Sequence, residues 1–156
     1  MRFRVRGLSP APFRHLFGRP EAELAAEGIR RHTVTEWPGI PDRITMQEVP
    51  AGETVLLLNH VSLAAASPYR ASHAIYVREW AEEPYDRVDE VPEVMRRRLL
   101  SLRGFDRDGM MLDADIVDGA EMEGLVERLL ANPAIEAVHA HYARRGCYAG
   151  LITRAA

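Results

Sequence analysis

The chain has 156 residues, with 20 Lys+Arg against 23 Asp+Glu and a formal net charge of −3. An apolar content of 47% and a charged content of 28% suit one globular domain over residues 1–156 and exclude disorder, a collagen repeat and a disulfide-stapled scaffold. Every cation is arginine; a lysine Schiff base or lysine general base is excluded, and the planar, bidentate guanidinium is the side chain left for anion contacts.

Met1 to Arg6 alternates Phe3 and Val5 with arginines and predicts a half-buried strand; no apolar stretch follows it as a signal peptide would require. Ser9-Pro10 opens a short helix that turns Phe13, Leu16 and Phe17 inward and stops near Gly18. Pro20 opens a second short helix that Gly28 closes. Ile29 to Thr35 is extended, Trp37 to Pro41 is a loop with two prolines, and Arg43 to Met46 is a short strand. Thr54 to Leu58 is a buried strand, far shorter than the ~20 apolar residues of a membrane helix. Val61 to Ser72 reads as a loop, and His73 to Trp80 as a strand with Ile75 and Val77 on one face.

From Pro92 a helix is predicted by the stripe Val91, Met95, Leu99 and Leu102, with Arg96 to Arg98 as its solvated face. Gly104 to Gly109 is a turn and Met110 to Val117 a strand. Asp118 and Glu121 make a capping-box-like start to a helix whose apolar face is Met122, Leu125, Val126, Leu129 and Leu130, ended by Asn132-Pro133. Ile135 to Tyr142 is a strand, Arg144-Arg145-Gly146 a tight turn, and Cys147 to Arg154 the returning partner. Residues ~110 to 142 thus form a β-α-β unit with parallel strands, followed by a hairpin. The predicted class is α+β: a mixed, mainly antiparallel sheet with helices packed on one side.

The chemistry-bearing residues concentrate in the C-terminal hairpin. His139 and His141 share a strand face, about 7 Å apart, and would bind a metal given a third ligand from His60, His73, Asp113 or Asp115. The same imidazoles serve equally as sheet-bonded polar groups. Cys147, the single cysteine, rules out an intrachain disulfide; it reads as a small buried side chain or as a nucleophile with His141 or His73 as base. Arg144 and Arg145 beside Gly146 read as an anion site or as solvated turn residues. Tyr69, Arg70, Ser72 and His73 cluster before a strand, and Asn59-His60 closes the buried one. Asp113 and Asp115 share a face and suit ion pairs with arginine. No P-loop, G-x-G-x-x-G or G-x-S-x-G is present.

Four blocks, in order, resemble the bacterial family "domain of unknown function 1203": Phe3 to Leu8, Thr54 to His60, Ser67 to Arg78 and Ala143 to Tyr148. The resemblance implies a compact single-domain bacterial protein and assigns no activity. Relatives often carry Pro-Cys-Arg where this chain has Pro41-Asp42-Arg43, a departure that argues against a two-cysteine redox mechanism.

The expectation is a pocket for a small anionic metabolite. Arg70, Arg78, Arg144 and Arg145, with Asn59 and Tyr69, would bind it, and His73, His141 and Cys147 would act on it. No cofactor or metal is assigned to this pocket. The alternatives are a non-enzymatic binding or homo-oligomeric assembly module and a metal-dependent enzyme built on the H-x-H pair. The acidic balance argues against nucleic acid, and no membrane partner is expected; the expected setting is the cytoplasm.

Overall fold

The computed structural model describes residues 2–156; Met1, included in the expected first strand, lies outside them. Strand β1 is Phe3–Arg6; a 3-10 turn at Arg14–Leu16 and helix α1, Glu21–Ala26, follow. Next come β2 (Arg30–Thr33), β3 (Thr54–Leu63), β4 (Ala71–Arg78) and β5 (Asp86–Val88). One helical turn, α2 (Glu93–Arg96), leads into β6 (Leu99–Phe105) and β7 (Met111–Asp118). A 3-10 turn at Gly119–Glu121 runs into α3 (Met122–Leu130), then β8 (Ala137–Tyr142) and β9 (Tyr148–Arg154).

The strands form two sheets, a six-stranded one in the order β5-β1-β9-β8-β6-β7 and a three-stranded one in the order β2-β3-β4. The α+β class holds, with one refinement: every neighbouring pair is antiparallel. β7 and β8 are parallel, as the β-α-β reading expects, but β6 lies between them and pairs with both.

Alternation along β8 sets the layers. Val138, Ala140 and Tyr142 join Leu100, Leu102, Ile152 and the α3 residues Met122, Val126, Leu129 and Leu130 in one core. Each buried α3 side chain contributes about 1.5–3 kcal/mol of transfer free energy. The opposite face of the large sheet meets the three-stranded sheet. There Leu56, Leu58, Ile75 and Val77 pack with Phe13, Phe17, Leu24 and Tyr148 in a second core. Helices α2 and α3, the large sheet and the small sheet form three layers, while α1 joins the second core beside the small sheet.

Five local expectations change. Arg43 to Met46 is a turn, because the Asp42 carboxylate accepts from Thr45 N at 2.6 Å and Thr45 Oγ1 at 2.7 Å. The helix predicted from Pro92 ends after one turn; Leu99 onward is strand, since pairing with both β7 and β8 satisfies its backbone. The same pairing carries strand through Phe105, into the expected turn. β3 extends to Leu63, through part of the expected loop. Arg96 and Arg98 are not merely solvated, being paired with Glu123 and Glu48.

Candidate anion-binding cleft

A cleft of about 740 Å³ opens where the β8–β9 turn, the end of α2 and the 39–43 segment meet. Its volume lies within the range of small-molecule sites. Five arginines line it (Arg43, Arg97, Arg98, Arg144 and Arg145) against one carboxylate, Asp118. Tyr76, Leu99, Tyr142 and Cys147 supply much of the remaining wall.

The turn that carries Arg43 is fixed twice. Asp42, 1% exposed, holds Thr45 and also accepts from Arg78 N at 2.8 Å, which ties the turn to β4. Arg43 is only 3% exposed. Its Nε donates to Tyr148 O at 2.9 Å, Nη1 to Pro41 O at 2.7 Å and Nη2 to Cys147 Sγ at 3.1 Å. Its Cζ lies 4.9 Å from the Tyr142 ring centre, a cation–π contact. Among the described residues, no carboxylate pairs with it. Its nearly buried guanidinium is thus held by carbonyls, a sulfur and an aromatic ring, with no acid beside it, where it lines the cleft.

Arg98 is the contrast. It makes a two-pronged pair with Glu48, at 2.7 and 2.8 Å, and its Cζ lies 5.3 Å from the same Tyr142 ring. That charge is neutralised inside the protein. Burial pushes the Tyr142 phenol up to about 12, against the opposing pull of Arg43 and Arg98, so it lines the cleft as a neutral hydroxyl. Arg97 stacks over Trp37 at 5.0 Å and pairs loosely with exposed Glu93.

Arg144 and Arg145 stand on the turn at the end of β8, which Gly146 N closes onto Tyr142 O at 2.7 Å. Gly146 has a φ of 77°, a conformation that favours glycine. Both arginines are exposed, and among the described residues neither makes an ion pair or a side-chain hydrogen bond. They flank the mouth as free guanidinium forks.

The residues expected to share one pocket divide into three places. Arg144, Arg145 and Cys147 line the cleft. His73 and His141 come together, ring centres 5.0 Å apart, but between the two sheets and not in the cleft. The rest lie elsewhere. Arg78 is paired with Glu53 at 2.6 Å, and Arg70 donates to Ala64 O within its own loop. Tyr69 packs edge-on against Phe105, and Asn59 borders a separate shallow depression beside Phe13 and His15. Among the described residues, no three His, Cys, Asp or Glu side chains are placed to hold a metal. His139 stacks on Phe105 and Tyr148 instead, and Asp113 and Asp115 are bridged by Arg128 at 2.8 and 3.3 Å.

Arg43, Arg98 and Tyr142 are cleft residues that sequence reasoning misses. The one available signal is the Asp42-x-x-Thr45 spacing, which marks a turn able to aim the residue between them.

The family described as "Protein of unknown function (DUF1203)" matches residues 39–154, a span that includes every residue lining the cleft. No curated protein and no solved structure matches the chain.

Proposed function

Because the chain belongs to the DUF1203 family, whose description assigns no activity, we propose its function from geometry: the cleft binds a small anionic metabolite bearing a carboxylate or phosphate group. One observation carries this reading. Arg43, Arg144 and Arg145 line a single cleft with no carboxylate partner among the described residues. Arg144 and Arg145 are free to capture the anion at the mouth, and Arg43 holds a fixed charge at the nearly buried end. Tyr142 and Tyr76 offer aromatic surface to the rest of the ligand. The function proposed is binding. Cys147 helps by seating Arg43, and the two expected catalytic histidines do not line the cleft. A lone cysteine on a binding surface fits the reducing cytoplasm.

A thermal-shift screen of small carboxylates and phosphates, against chloride at equal ionic strength, tests this. A bound anion at a hundred times its Kd stabilises by about 2.7 kcal/mol, an upward shift on the order of 5–10 °C for a chain of this size. The reading fails if no oxyanion raises the melting temperature above the chloride control.

Self-assembly is the second reading, favoured by one observation. β7 is an edge strand of the large sheet, with Leu112 43% and Ile116 60% exposed on it. A monomer by sedimentation at all concentrations would remove it.

A further inference from the structure

The inner face of the small sheet changes character along its length. Its cross-strand pairs run Leu56 with Val77, Leu58 with Ile75, then His60 with His73. The first two pairs are core; the third places two imidazoles against the large sheet. Facing them from β8 are His139 and His141, on the side opposite the α3 core. On neighbouring β6, Arg103 stands across from His139 and Ser101 across from His141. Four of the six histidines of the chain therefore meet in one slot, with Tyr148 of β9 among them: its ring centre lies 5.7 Å from His60, 5.5 Å from His139 and 5.8 Å from His141.

Two groups in this slot lack the partners that buried polar groups normally find. His73 Nε2 is buried and has no hydrogen-bond partner, the one such side-chain atom among the described residues. Arg103 is half-buried, and its hydrogen bond is from Nε to Ser101 Oγ at 3.1 Å, which leaves both Nη groups free. Other inward-reaching arginines do find partners: Arg31 pairs with Glu79, and Arg98 with Glu48. The nearest acidic strand cannot serve Arg103, because Asp113 and Asp115 of β7 are held by Arg128 of α3 on the opposite face.

What the slot lacks is an anionic partner for Arg103. A guanidinium with a free Nη fork presents two parallel donors, and a nearby imidazole N–H presents a third. That arrangement complements an oxyanion. A metal cation would be repelled by Arg103, and no three ligands converge for one. We propose that the slot between the sheets is a second binding site, separate from the arginine cleft, in which Arg103, with His73 and His139, holds a small oxyanion.

The surroundings agree with this assignment. Burial, with Arg103 adding to it, holds His139 and His141 down at about 4 and lowers His73; burial lowers Arg103 as well. The imidazoles are therefore neutral, each with one N–H donor, and the guanidinium of Arg103 is the cation of the slot. His141 is already committed, since its Nδ1 donates to Gly146 O at 2.9 Å.

The test is a titration of inorganic phosphate into the full chain carrying Arg144→Ala and Arg145→Ala, which disables the cleft. It is followed on the ring resonances of the six histidines, assigned by single His→Gln variants. The expected result is a saturable movement of the His73 and His139 signals, with His15 and His32 unmoved. Arg103→Met should weaken the response at least about tenfold. That variant removes an unpaired charge, so it is expected to fold; Arg103→Gln keeps the contact to Ser101 and must lose the response too. Acetate titrated in parallel tells a carboxylate site from a phosphate site. Signals that stay still with both anions overturn the proposal. So does a response equal in Arg103→Met, or one that rises linearly without saturating. The arginine cleft stands or falls independently, because its variants are already in the background.

Discussion

A side chain at Gly7 would collide with the carbonyl oxygens of Ile44 and Arg43. That close approach lets Leu8 N donate to Arg43 O at 2.7 Å and Gly7 N donate to Tyr85 O at 2.9 Å. The end of β1 thereby presses on the turn that aims Arg43 into the cleft, although Gly7 does not line it. Gly7→Ala is expected to destabilise the protein by about 2–3 kcal/mol, as overpacking against rigid backbone does. It should also weaken oxyanion binding in the cleft by displacing Arg43. Urea unfolding reads the first effect and calorimetric titration the second; unchanged stability would show that the turn is not pinned there. At this scale, sequence reading succeeds where a residue acts locally. Arg144, Arg145 and Cys147 lie within one hairpin and stand out together. Arg43 does not, because it meets Cys147 across 104 residues of chain.

Among elements, α3 was legible and β6 was not, for contrasting reasons. α3 has a start signal, Asp118, whose carboxylate accepts from Ala120 N at 2.9 Å, and an apolar face whose Met122, Val126, Leu129 and Leu130 are all buried. β6 carries Leu99 and Leu102 at a spacing that also suits a helix continuing from Val91 and Met95. What decides for strand is pairing on both sides, and Gly104, where a Cβ would strike Ile135. Neither constraint is local. The histidine pairs of β3–β4 and of β8 likewise face each other only once two separate sheets have packed.

That packing makes stability depend on pH. His139 and His141, 8% and 2% exposed, are held neutral down to about 4, against 6.5 when unfolded; burial also lowers His60 and His73. Below 6.5 the unfolded chain binds more protons than the folded one, so stability falls as pH drops. The slope is roughly 1.4 kcal/mol per pH unit for each such histidine, between about 6.5 and 4. Above 6.5 these groups contribute no further change. Lowered carboxylates such as Glu79, whose ordinary value is 4.5, give up stability only in more acidic solution. Urea unfolding at pH 7 and pH 5, without phosphate, should show a marked loss at pH 5. The paired His139→Gln and His141→Gln variant should flatten it. Equal stability of the natural chain at the two pH values would contradict the buried, neutral assignment.

For the whole molecule, the net charge of −3 conceals a strong local asymmetry. Half of the arginines pair with specific acids, as in Arg4 with Asp86, Arg31 with Glu79, Arg78 with Glu53 and Arg98 with Glu48. Of those with no acid partner among the described residues, Arg43, Arg144 and Arg145 line the cleft and Arg103 stands between the sheets. Composition shows that arginine is the sole cation of the chain. Only the three-layer packing shows which guanidiniums are left over. Among the described residues, no helix is long and apolar enough to cross a membrane.

Arg43 is a poor first target for testing the cleft, because its removal would leave Tyr148 O and Pro41 O without a donor and disturb the fold. Arg144 and Arg145 make no side-chain bonds within the described protein, so replacing both by alanine removes cation and little else. The most direct measurement is isothermal titration calorimetry of the best-stabilising oxyanion into the natural chain and into the Arg144→Ala, Arg145→Ala variant. The predicted result is one-to-one binding at the cleft that the double variant weakens at least about tenfold, with its melting temperature unchanged in the absence of ligand. Equal affinity in the two proteins would contradict the assignment of the cleft as the anion site.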